Sequence, residues 1–265
     1  MTYVHKKEEW FAYAAKLHDL GGMLYGEADL IESHLGAADP KVIALTLLCR
    51  TMSHVEGVVA MIDRGLVVEA RTLTRCCFEN LIWIDGLAKE GVEFVKKITG
   101  NDYAYKKLRG KVLLEWAARQ DAKPLFEEKL QAYLLGLETT QPKTNPISFK
   151  STADAGVLKD SYIIYSQLSS DAAHPSAESL SRYLTRNKIS EEESILTMSA
   201  LPKPENGEVL QTLEFACSAL LGICVGANQI IGGLPSGKKL APMFDEFLTL
   251  RYRNFAATKD DLSEA

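Results

Sequence analysis

The sequence predicts an all-α protein, an irregular bundle of about seven to nine helices with room for a small β-hairpin near 183–199, on three observations. Apolar residues recur every three or four positions through most of the 265 residues. Cap signals such as Asp39-Pro40 and Arg64-Gly65 bracket the periodic runs. Beyond 183 the helical period fails up to 206, and Ser194-Ile195-Leu196-Thr197-Met198-Ser199 reads as a short strand.

The first element follows from Trp10, Ala14, Leu17, Leu20, Leu24, Ala28, Ile31 and Leu35, which lie on one face of a single long helix that Gly21-Gly22 has the means to bend. Gly36 opens the break after it, with Asp39 as the N-cap of the next helix and Pro40 at its first position. Val42, Leu45, Leu48, Met52, Val55, Val59 and Ile62 define that second helix, and Gly65 ends it. A third helix at 67–89 carries Ala70, Leu73, Thr74, Cys77, Leu81, Ile84 and Leu87, so the two form a tight antiparallel hairpin at the heart of the core.

Further helices are expected at about 91–120, interrupted near Gly100-Asn101, and at 123–138. Turn residues at 139–146 predict an exposed loop, and a helix from about 152 to 172 leads to His174-Pro175. Helices near 208–232 and 239–255 and a charged, fraying tail complete a single domain over 1–265. Its core is expected at 40–185, with the C-terminal helices packed on it.

A formal net charge of −5 argues against a wholly basic nucleic-acid-binding surface but leaves room for a local Lys/Arg patch. Five cysteines, at 49, 76, 77, 217 and 224, form no C-x-x-C pair and fit no zinc spacing, so they read as reduced core residues and no metal is expected. The N-terminal residues lack the apolar core of a secretory signal, and a cytoplasmic location is expected. The apolar stretch 215–234 is interrupted by Asn228 and Gln229, so it is expected to be a buried core helix and not a membrane span.

Two polar constellations stand out. Arg71, Arg75 and Glu79 share one face of the third helix at four-residue spacings, on a helix that is otherwise apolar over most of its circumference. Charges there are either a structural buried pair or a ligand-facing site. The second is Ser169-Ser170-Asp171-Ala172-Ala173-His174-Pro175-Ser176, which sets a histidine at a forced helix break among short polar side chains. Ser169, Ser170, Asp171 and Ser176 are its candidate partners, and caps and a helix dipole account for the same residues structurally. Arg50 and His54, four apart on the second helix with Gly57 beyond them, read as a polar stripe that could face the Arg75 region. The motifs G-x-S-x-G, H-E-x-x-H, G-x-x-x-x-G-K-[ST] and G-x-G-x-x-G are missing, and no cofactor is expected.

Arg64-Gly65-Leu66, Glu69-Ala70, Leu73-Thr74-Arg75 and Phe78-Glu79, together with YSQLSSDAAHPS from Tyr165 to Ser176, resemble an uncharacterised family of bacterial all-helical proteins over roughly 40–185. That family is similar in turn to the HEPN superfamily, whose helical domains dimerise and include RNA-cleaving toxins and phage-defence effectors. The resemblance implies a homodimer with an RNA or protein partner. HEPN nucleases carry an arginine separated from the histidine by four to six intervening residues. Gln167, Leu168 and Ser169 occupy the matching positions here, and Arg50 and His54 have only three intervening residues.

The expected function is a cytoplasmic binding or effector module, with Arg71, Arg75, Glu79, Ser170, Asp171 and His174 as ligand-binding candidates. Arg75, Glu79 and His174 are expected to line one pocket between helices. The alternative is a metal-independent endoribonuclease, with His174 as acid/base and Arg75 stabilising phosphate charge. A purely structural scaffold is the third reading.

Overall fold

The computed structural model describes residues 3–29, 33–119, 124–140, 147–170, 176–190, 193–202, 204 and 207–263. Among them the chain forms ten α-helices and one two-stranded β-hairpin, the all-α bundle that the periodicity predicts. The central hairpin is α2 (Pro40–Asp63) against α3 (Val67–Glu90). Asp39 caps α2 by accepting the Lys41 N–H at 2.8 Å. At the other end Gly65 adopts φ +76°, a left-handed conformation open to glycine, and the Leu66 N–H donates to the Met61 carbonyl at 2.8 Å.

The helix at the centre is α9 (Glu208–Ile231), which packs on α1 (Tyr3–Glu27), α2, α3 and α10 (Leu240–Ser263). Gly222 and Gly226 face α3: a Cβ on them would come within 2.7 Å of the Leu81 side chain and 2.9 Å of the Ile84 side chain, so these α3 side chains reach the α9 backbone where only hydrogen fits. Leu213, Ala216, Leu220, Ile223 and Ala227 are buried together with Leu48, Val58, Phe78 and Ile84 in one core. By length and composition α2 and α9 are both apolar enough to cross a membrane, and most of the apolar stretch of α9 is buried inside the bundle.

Four expectations are corrected. The first helix ends at Glu27 and not at Leu35, because the Glu27 carboxylate turns to accept the Ser236 N–H at 2.8 Å and the Ser236 hydroxyl. His34 therefore lies outside that helix. The helix α4 (Val92–Arg119) runs without interruption through Gly100 and Asn101; Gly100 is buried, and Asn101 accepts the Ile147 N–H at 3.0 Å. In place of one helix over 152–172 there are two, α6 (Phe149–Ala155) and α7 (Ser161–Leu168). The last helix continues to Ser263.

The break between α6 and α7 has a physical cause. The carboxylate of Asp85, buried on α3, accepts the N–H groups of Val157 and Leu158 at 3.3 and 3.2 Å, amides that a continuing helix would hold. This split, with the short α8 (Ala177–Ser181), raises the helix count above the seven to nine expected. The remaining helix, α5 (Pro124–Thr140), packs on α4; most of the loop expected at 139–146 lies outside the described residues.

The β-hairpin pairs β1 (Leu184–Lys188) with β2 (Ser194–Met198), Arg186 opposite Leu196, and is exposed on every residue. An isolated two-stranded ribbon is marginal. Its base is tied to the bundle by Arg182, which pairs with the buried Glu208 of α9.

Candidate functional site

Arg75 is drawn out of the ordinary surface by its neighbours. Its Nε donates to Ser169 Oγ at 2.8 Å and its Nη2 to the Tyr165 hydroxyl at 3.1 Å, both on the C-terminal end of α7. Nη2 also lies 2.9 Å from the Glu79 carboxylate one turn along α3. The guanidinium carbon sits 5.1 Å from the Tyr165 ring centre, a cation–π contact. The other neighbours of Tyr165 are Phe149, stacked at 5.0 Å, and Tyr162 at 5.8 Å. Three side chains and an aromatic wall therefore hold one cation in a fixed orientation. The Arg75 and Glu79 side chains keep 18% and 21% of their surface open, and Nη1 has no partner among the described residues.

The turn that follows is also built. The helical path widens into a π-type turn at Ser169 and Ser170. The Ser170 hydroxyl donates to the Gln167 carbonyl at 3.0 Å. The Ser176 hydroxyl donates to the Ser170 carbonyl at 3.0 Å, and Ser176 forms a reciprocal capping box with Ser179 at the start of α8. Ser170 and Ser176 thus meet across five intervening positions. Asp171 and His174 are among those five and lie outside the described residues.

Arg71 takes a different course from Arg75 although it shares its helix face. It is 3% exposed and points into α9, with Nε 3.3 Å from the Glu208 carboxylate and Nη1 bonded to Gln211 and Thr212. Glu208 also takes Arg182, so one buried carboxylate gathers two arginines at the base of the β-hairpin. Nothing in the spacing of Arg71 announces Glu208, 137 positions away; the tertiary packing of α3 on α9 makes that pair.

Arg50 and His54 bond each other, and the Arg50 charge reaches Cys76, the neighbour of Arg75 in the chain. Arg50 Nε donates to His54 Nε2 at 3.2 Å, which requires the unprotonated ring nitrogen. Burial, and then the Arg50 charge, hold the His54 imidazole below its usual pKa. The thiol of Cys76 senses the same surroundings: burial and then Glu79 push its pKa up, while Arg75 and Arg50 pull it down. Gly57 lies where α2 meets Leu73 of α3, with 2.8 Å between the position of a Cβ and Leu73 Cδ1. One turn beyond Glu79, the buried Trp83 Nε1 has no acceptor among the described residues.

Among the described residues no three His, Cys, Asp or Glu side chains gather as a metal would require. A cavity of about 250 Å³ lies elsewhere, between α1 and α2, with Phe11, His18, Val55 and Glu56 in its lining.

The arrangement can present a guanidinium of fixed geometry, with uncommitted donors, to an anionic group, and a short serine-rich turn beside it. The model of a protein family described as a family of unknown function, DUF5677, matches residues 41–192, more than half of the chain and the stretch from α2 to the β-hairpin turn. No curated protein and no solved structure matches.

Proposed function

Since the chain belongs to DUF5677, a family whose function is unknown, we propose from the site itself that it is a cytoplasmic helical binding module that takes an anionic group of its partner at Arg75. A single observation carries this reading: Arg75 is oriented by Ser169, Tyr165 and Glu79, yet keeps Nη1 uncommitted among the described residues and part of its surface open. A cation that serves packing alone has no need of an exposed, unspent pair of donors. Phosphate is the preferred group, because the two N–H groups left on Nη1 can each give a charge-assisted hydrogen bond to its oxygens. RNA is the preferred partner, as the HEPN resemblance implies, and the biological setting that fits is a toxin or phage-defence effector.

The test is the anisotropy of a labelled single-stranded RNA against the wild-type protein and Arg75→Gln. Wild-type binding that weakens at least tenfold in the variant, with the thermal melt unchanged, supports the reading. Equal binding by both, or none, removes Arg75 as the contact and favours the scaffold reading.

A second reading, a metal-independent endoribonuclease, draws on the bond between Ser176 and Ser170, the described residues that follow and precede the stretch containing His174 in the sequence. In it His174 moves a proton at the attacking ribose hydroxyl or the leaving oxygen, and Arg75 neutralises the charge that grows on phosphate. Incubation with total RNA in EDTA, beside His174→Ala, separates the two readings. Binding without cleavage is expected, because no arginine precedes His174 at the HEPN spacing. Cleavage by the wild type that falls by about 10²–10⁴-fold in the variant would establish the enzyme instead.

A further inference from the structure

The helices α4 and α5 form an antiparallel pair: α5 packs chiefly on α4, and α4 joins the bundle through α3. Gly110 marks the side of α4 that faces α5, since a Cβ there would come within 2.5 Å of Leu134. At about 100° per residue, Tyr105, Leu108, Val112 and Trp116 fall on the opposite side. Each of the four is exposed over half its surface or more. Scattered apolar residues are ordinary on a protein surface, whereas four large ones in a single file are the mark of a contact.

The order along the file says what it contacts. Aromatic, aliphatic, aliphatic, aromatic reads the same in both directions. Asp102 stands before it and Arg119 after it, both exposed and equidistant from the midpoint between Gly110 and Lys111. Asp102 already bonds Lys106 at 2.6 Å through one carboxylate oxygen. Laid against a reversed copy of itself, α4 sets Tyr105 level with Trp116, Leu108 beside Val112 and Asp102 level with Arg119. A parallel copy would put Asp102 on Asp102 and Arg119 on Arg119. A two-fold interface needs one patch that complements itself, and this one does so only when reversed.

We propose that two copies of this chain associate through the exposed face of α4, the two helices running antiparallel. Sedimentation equilibrium of the full chain at micromolar concentration tests it. The wild type is expected at twice the chain mass of 29.3 kDa. Leu108→Glu/Val112→Glu is expected to sediment as a single chain with unchanged helicity, since both positions face solvent in one copy. A wild type of single-chain mass, or a double variant that still pairs, overturns the proposal.

The register is tested by charge exchange. Asp102→Arg and Arg119→Asp are each expected to weaken association by about threefold to tenfold, and the two together to associate more tightly than either alone. A combined variant no tighter than the single ones overturns the antiparallel arrangement.

Discussion

Asp85 and Gly156 meet so closely that no side chain fits between them: a Cβ on Gly156 would fall inside the Asp85 carboxylate. The same carboxylate receives the next two amides, so one residue of α3 both ends α6 and aims α7, the helix that carries Tyr165 and Ser169 to Arg75.

Asp85→Ala is expected to cost about 1–3 kcal/mol, because two amides lose their acceptor in a part-buried place. Gly156→Ala is expected to cost about 1–3 kcal/mol by overpacking. Urea unfolding measures both, and a neutral Gly156→Ala would refute the close approach.

The two arginine–glutamate pairs of α3 are expected to respond differently. Glu208→Ala strips Arg71 and Arg182 of a shared buried partner and should cost about 3–5 kcal/mol. Glu79→Ala leaves Arg75 with Ser169, Tyr165 and solvent and should cost about 1 kcal/mol. Reversed ranks in chemical denaturation would contradict the geometry.

Cys76 reports on the Arg75 site through its thiol. Glu79 helps to raise its pKa and Arg75 helps to lower it, so Glu79→Gln should speed its alkylation at pH 8 and Arg75→Gln should slow it. Cys77, Cys217 and Cys224 are buried with pKa values pushed well up, and they should react only on unfolding. Mass spectrometry after timed exposure to iodoacetamide separates the five.

Acid should loosen two joints first. Hydrogen bonds from Ser236 hold Glu27 below its usual pKa, and hydrogen bonds from Ser33 and Lys41 do the same for Asp39. A carboxylate whose folded pKa is depressed adds stability that is complete above its unfolded pKa and vanishes as pH falls through the folded value. Melting temperature should therefore drop on going from pH 5 to 3, and drop less steeply in Glu27→Gln/Asp39→Asn than in the wild type.

Much of the fold was legible because its signals are local. Asp39-Pro40, Arg64-Gly65 and the apolar faces of 42–62 and 67–87 define the central hairpin within four or five residues of one another. What escaped is long-range. Glu27 finds Ser236, and Asp85 finds 157 and 158, so the ends of α1 and α6 are set by residues far away in the chain. At the site, Arg75 and Glu79 were readable as a pair from their spacing. That Arg71 should turn to Glu208 while Arg75 turns to Tyr165 depends on which neighbour each side of α3 meets, and no spacing within α3 contains that.

The position of α9 bears on where this protein can be cut. The region that defines the family ends at 192, yet the wall against which α2 and α3 bury their apolar faces is supplied by Glu208–Ile231. A polypeptide of residues 41–192 alone would leave Leu81 and Ile84 facing water where Gly222 and Gly226 now lie. The family's signature is thus a part that borrows its interior from outside itself, and two severed halves, 1–202 and 207–265, should recover helical order on mixing that neither attains alone.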